Sequence, residues 1–247
     1  PRLGWGSPVI LVTLVGGVVA FAGFLVRQRF ARDPMMPLSL FRARNFWAGN
    51  LATAFVYAAL SLNGFALGVY LQQGAGLPAT LAGLATMPTT LFMIVLSARI
   101  GTLAGRWGPR LFMTIGPILM GLGALLLLSV TDEFSYWTQV LPSVLVFSLG
   151  LTITVAPLTS AVLGAIEPER SGIASAINNA VARVAGLIVI AALAAVVGGE
   201  LDLHGFYRAA IVTAVLMIAG GVVSFLWIQN PRGEPVDAAT APAPAHS

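Results

Sequence analysis

Apolar residues in this chain come in long blocks rather than in alternating stripes. The first block runs from Val9 to Val26, and six more follow it: Phe46–Leu71, Leu81–Leu103, Leu111–Val130, Tyr136–Ile166, Ser171–Val197 and Phe206–Ile228. Crossing the hydrocarbon core of a bilayer takes about 20 apolar residues. The pattern therefore predicts an all-α membrane protein with seven transmembrane helices. Prolines 88, 142 and 157 fall inside these blocks. They are compatible with spanning helices, because neighbouring helices and waters take up the freed backbone groups. Pro34 and Pro37 forbid a continuous helix between the first two blocks. The pattern divides the chain into a first span over 1–32, a linker over 33–45, six further spans over 46–229 and a tail over 230–247. The tail is rich in Pro, Ala and small polar residues and is expected to be disordered.

Composition agrees: the chain is 57% hydrophobic, 9% charged and has a mean hydropathy of +0.90. All 13 cations are arginines, since there is no lysine. A pI near 10.3 suggests nucleic acid in a soluble protein, but here the arginines sit between apolar blocks. Arg27, Arg29, Arg32, Arg42 and Arg44, then Arg106 and Arg110, then Arg170, then Arg232 all fall on one side of the predicted spans. The positive-inside rule makes that side cytoplasmic and places the C-terminus there, in a multi-pass protein of the plasma membrane. The expected partners are thus lipid and not nucleic acid. The chain opens on Pro1 with no recognisable signal peptide, which leads to the expectation that it begins inside a longer protein.

No cofactor or metal is expected. Cysteine is absent, and His204 and His246 are the only histidines, so a zinc centre has too few ligands. Catalysis has little support either. No histidine lies within reach of Ser160 or Ser175 inside the membrane, and without lysine there is no Walker-type phosphate loop. No acidic residue lies inside a predicted span. Carriers driven by protons need an intramembrane carboxylate, so such a group would have to lie outside this chain.

Two local features stand out. Arg183 lies about 18 Å into the sixth span, where a cation costs at least ~2.5 kcal/mol unless it faces water or a polar partner. It is either satisfied by carbonyls between helices or lines a cavity, and Asn179 lies on the same helix face. The second feature is Gly101-Thr-Leu-Ala-Gly105-Arg106-Trp107-Gly108-Pro109-Arg110. Gly101 and Gly105 form a flat patch for close helix approach, as do Gly64 and Gly68. By spacing alone the turn is a positive-inside loop. Aromatic and Met residues such as Tyr57 and Met93 are either packing residues or the walls of an adaptable apolar cavity.

The basic turn resembles the signature loop of the major facilitator superfamily, Gly-x-x-x-Asp-Arg-x-Gly-Arg-Arg. Gly101, Arg106, Gly108 and Arg110 match, Gly105 replaces the Asp, and Pro109 replaces a basic residue. Pro37-Leu-Ser-Leu-Phe41, Leu81-Ala-Gly83 through Pro88, and Pro157 through Arg183 are similar, in order, to the fourteen-span drug:proton antiporters of the EmrB/QacA type. The resemblance implies the C-terminal half of a proton-coupled efflux transporter for multiple drugs or antibiotics. Such a transporter rocks two six-helix bundles about a central cavity, each bundle a pair of inverted three-helix repeats. It implies a gating role for the loop Gly101, Gly105, Arg106, Gly108 and Arg110, and cavity roles for Asn63, Thr154, Asn179 and Arg183. The expected ligands are hydrophobic small molecules and protons, the latter on carboxylates of an N-terminal half. The alternative is a non-transporting seven-span protein, acting as a scaffold or interaction partner or surviving as a transporter remnant.

Overall fold

The computed structural model describes residues 7–30, 37–193, 197 and 202–230. Among them seven helical stretches are long and apolar enough to cross a membrane. The helices are α1 (Pro8–Phe30), α2 (Arg44–Val69), α3 (Ala79–Ala85), α4 (Met87–Trp107), α5 (Pro109–Leu126), α6 (Leu141–Leu163), α7 (Ser171–Ala191) and α8 (Leu203–Trp227). Each of the seven expected blocks holds one of these spans. The expected tail from residue 231 onward, and the linker over 33–36, lie outside the described residues. The remainder of the linker carries a single 3-10 turn, Leu38–Arg42, before α2 begins at Arg44.

Local chemistry explains several helix boundaries. Pro88 has no N–H to offer Leu84, so the third span breaks into α3 and α4 at Thr86, whose hydroxyl donates to the Gly83 carbonyl at 2.9 Å. Asp202 caps α8 by accepting from the Gly205 N–H at 2.7 Å. α2 ends in a π-turn over Tyr70–Gly74, and the Tyr70 ring stacks on Phe206 of α8 with centroids 4.3 Å apart.

The helices pack as two triplets, α2–α4–α5 and α6–α7–α8, related by an approximate two-fold exchange. The first helix of each triplet packs on the second helix of the other, α2 on α7 and α6 on α4. The third helix of each packs on the first of the other, α5 on α6 and α8 on α2, and the two third helices α5 and α8 pack together. An odd number of spans per triplet makes the second triplet run inverted to the first. The two equivalent first-to-second interfaces both carry hydrogen bonds between side chains. Asn178 donates to Thr53 Oγ1 at 2.8 Å and to Asn50 Oδ1 at 3.2 Å, and Thr89 meets Ser148 at 2.7 Å.

Glycines set the closest approach, at α5 and α6. A Cβ on Gly116 would come within 2.8 Å of the Gly150 carbonyl, one on Gly150 within 2.6 Å of the Gly116 carbonyl, and one on Gly123 within 2.7 Å of Phe147 N. Backbone-to-backbone packing of this kind suits a bilayer, where lipid is as apolar as leucine and association depends on van der Waals fit. The pairs expected to play this part do not. Gly64, Gly68 and Gly105 have nothing within 4 Å of such a Cβ, and Gly101 meets only Ala156 at 3.9 Å. Spacing four apart is satisfied by any helix face, and these glycines lie on faces without a close neighbour.

The core is formed by α2, α5, α6 and α8. α4 and α7 are the marginal members, with the fewest buried residues of the six. α1 stands beside the bundle with only Gln28 buried.

Candidate functional site

The basic turn folds into a clasp at the arginine-rich end of the bundle. Gly108 joins α4 to α5 with φ +86° and ψ 153°, a region of backbone space that essentially only glycine occupies. A side chain there would also run into Asn230. Asn230 in turn accepts from the Arg110 N–H at 3.1 Å and donates to the Trp107 carbonyl at 3.3 Å, so it grips both sides of the turn. The end of α8 is held by three more side chains. Arg110 Nε donates to the Phe225 carbonyl at 2.9 Å, with its guanidinium 5.1 Å from the Phe225 ring. Arg44 donates to the carbonyls of Trp227 at 3.0 Å and Leu226 at 3.2 Å. Asn45 and Gln229 exchange bonds, each 2.8 Å long. Cations at a helix C-terminus satisfy orphan carbonyls and oppose the negative end of the helix dipole. A polar recess of about 620 Å³ lined by Asn45, Arg110, Gln229 and Asn230 remains at the centre.

The loop residues therefore divide. Gly108 and Arg110 belong to a clasp within this bundle. Arg106 is exposed and, among the described residues, has no hydrogen bond or ion pair. Asn45 and Asn230 were not singled out from the sequence, and Arg44 only as one of the arginines on the basic side. The only available signal was polarity at helix ends, which any surface residue shares.

The cavity candidates also divide. Asn179 and Arg183 are both exposed, one turn apart on α7, and Asn179 donates only to its own helix, to the Ser175 carbonyl at 3.0 Å. Ser175, Asn179 and Arg183 thus form a polar stripe on α7. Of the buried positions on α7, Ala174, Ile177 and Val189 lie off this stripe, whereas Gly186 continues its line and packs against Ser61 of α2. The neighbouring Asn178 is rotated about 100° away and is the residue that binds α2. Asn63 is half-buried on α2. Thr154 does not line an open space: it is 1% exposed, donates to the Gly150 carbonyl at 2.7 Å and packs against Gly116. Its hydroxyl is absorbed by its own helix at the α5–α6 contact.

Two further arginines lie inside helices. Arg99 is exposed on α4, and Arg208 on α8 reaches the Val197 carbonyl at 3.5 Å. Arg208 sits near the end opposite the clasp, so the division of arginines between the two ends is strong but not complete. The described acidic residues Asp132, Glu133, Glu167, Glu169 and Asp202 all lie outside the α-helices, and no cluster of potential metal ligands occurs among the described residues.

Comparison with known proteins places this geometry. A family model described as Major Facilitator Superfamily matches residues 2–190 and 51–246. The chain is 29% identical over 242 residues to the methylenomycin A resistance protein of Streptomyces coelicolor, covering 97% of this chain and 51% of that protein. It is also 29% identical to the multidrug resistance protein Stp of Mycobacterium tuberculosis, over 82% of this chain and 37% of Stp. The cephamycin export protein CmcT of Amycolatopsis lactamdurans is 29% identical over 90% of this chain and 47% of its own length. The chain spans about half the length of the curated relatives it matches. A seven-span all-α chain with this inverted packing, matched by that model along nearly its whole length, belongs to the Major Facilitator Superfamily.

Proposed function

We propose that this chain forms one six-helix bundle, with an additional helix, of an efflux transporter that expels hydrophobic small molecules, antibiotics among them, across the plasma membrane. The observation that carries the reading is the uneven burial of the bundle. α4 and α7 have the fewest buried residues of the six bundle helices, and Asn179 and Arg183 are exposed on α7. A cation at membrane depth that has no partner among the described residues is costly unless water, a ligand or a second bundle meets it. An aqueous cavity shared with a second bundle satisfies that requirement, and movement of the two bundles about it constitutes alternating access. Arg183 and Asn179 then face the cavity, and Arg106 is free to engage the second bundle when one access state closes. The names of the resistance and export proteins cited above support the substrate class.

The arginine-rich end, with the clasp, is cytoplasmic on this reading. Protons drive export through carboxylates outside this chain, since none of the described acidic residues lies in an α-helix. The experiment is accumulation of ethidium in a pump-deficient bacterium expressing the native gene. Lower accumulation that an uncoupler abolishes is the expected outcome. Unchanged accumulation across a panel of lipophilic drugs overturns export, and export that survives the uncoupler overturns proton coupling alone.

A further inference from the structure

An apolar cleft of about 760 Å³ lies between α1 and α7. Phe21, Phe24 and Leu25 of α1 form one wall, Ala180 and Val184 of α7 belong to the other, and Phe41 lines the arginine-rich end. Its α7 wall runs from Gly172 to Ile188, about 24 Å at 1.5 Å per residue. All the lining residues are apolar, whereas sites for drug-like molecules carry a few polar groups that fix orientation. An extended acyl chain needs no polar partner along its length and suits such a lining.

Charge at the mouth specifies the headgroup. Arg27 and Arg29 follow Leu25, and Arg42 follows Phe41; all three are exposed and, among the described residues, have no ion pair or hydrogen bond. The acidic residues at the start of α7 are Glu167, 3.7 Å from Arg170, and exposed Glu169. Cations therefore predominate at this end, and basic residues beside a bilayer attract anionic lipid. We propose that the cleft between α1 and α7 binds one acyl chain of an anionic phospholipid, with Arg27, Arg29 and Arg42 holding its phosphate headgroup. The lipid would fill the gap that α1 leaves and tie it to the bundle, whether or not the protein transports anything.

The test is native mass spectrometry of the purified full-length polypeptide, incubated with equal amounts of dioleoyl phosphatidylglycerol and dioleoyl phosphatidylcholine. Retention of phosphatidylglycerol roughly tenfold above phosphatidylcholine is expected. The triple variant Arg27→Gln, Arg29→Gln, Arg42→Gln should retain the two equally, and Ala180→Phe, which fills the cleft, should retain little of either. Gly172→Phe is a second filling variant, because a Cβ there meets nothing within 4 Å, and thermal unfolding in detergent verifies that each variant folds. Equal retention of the two lipids by the unsubstituted protein, or undiminished retention by a folded cleft-filling variant, overturns the proposal.

Discussion

Gly108 shows how one position is constrained twice, by its backbone angles and by Asn230 lying where a side chain would go. Gly108→Ala is expected to cost about 1–3 kcal/mol from backbone strain alone, measured as a lower unfolding midpoint in detergent. Asn230→Ala removes the other half of the grip without straining the turn and should cost less, roughly 1 kcal/mol. Thr213 presents the opposite case. It is fully buried on α8, and its hydroxyl is the one buried side-chain atom without a partner among the described residues. Thr213→Val keeps the shape and removes the orphan group, so the protein should become more stable, by on the order of 1 kcal/mol. A lower midpoint for this variant would show that the hydroxyl has a partner. Glycine and arginine identities at the basic turn were legible in the sequence. Which arginine caps a helix and which stands free was not, because Arg106 and Arg110 are equivalent as letters and differ only in where α8 ends.

At the scale of helices, the α5–α6 contact depends on small residues facing each other. Gly150→Val would drive a side chain into the Gly116 carbonyl and Met120, and the helices would have to separate, losing their van der Waals fit. Gly64→Val, in the glycine pair singled out by spacing, points where no atom lies within 4 Å and should change stability by no more than about 0.5 kcal/mol. Comparing the folded yields of the two variants separates true packing glycines from coincidental ones. Asn178 and Asn179 make the same point for polar residues. Adjacent in sequence, they lie about 100° apart on α7, so one binds α2 and the other lies on the open flank. The sequence called attention to Asn179 because it shares a face with Arg183; the partner of Asn178 was visible only once α2 lay beside α7.

For the whole molecule, the clasp and the open flank predict separable phenotypes. Arg110→Ala should lower the unfolding midpoint, because the Phe225 carbonyl of α8 loses its donor, a contribution of roughly 0.3–1 kcal/mol for a cation at a helix end. Arg106→Ala should leave the midpoint unchanged and, on the transport reading, reduce ethidium efflux at normal surface expression. Efflux equal to that of the unsubstituted protein would remove Arg106 from gating, and a large fall in its midpoint would show a structural role instead.

The number of spans, their approximate limits and the predominance of arginine at one end followed from the sequence by itself, because the bilayer imposes a length and a polarity on any segment that crosses it. The basic turn also carried enough of a motif to point to the family. The order of helices around the bundle, the inverted pairing of its triplets, the clasp between Arg44, Arg110 and Asn230, and the burial of Thr154 were decided only in the tertiary structure. The physical reason is that a spanning helix is apolar on every side, so no stripe in the sequence says which face meets lipid, which meets a neighbour and which is left open.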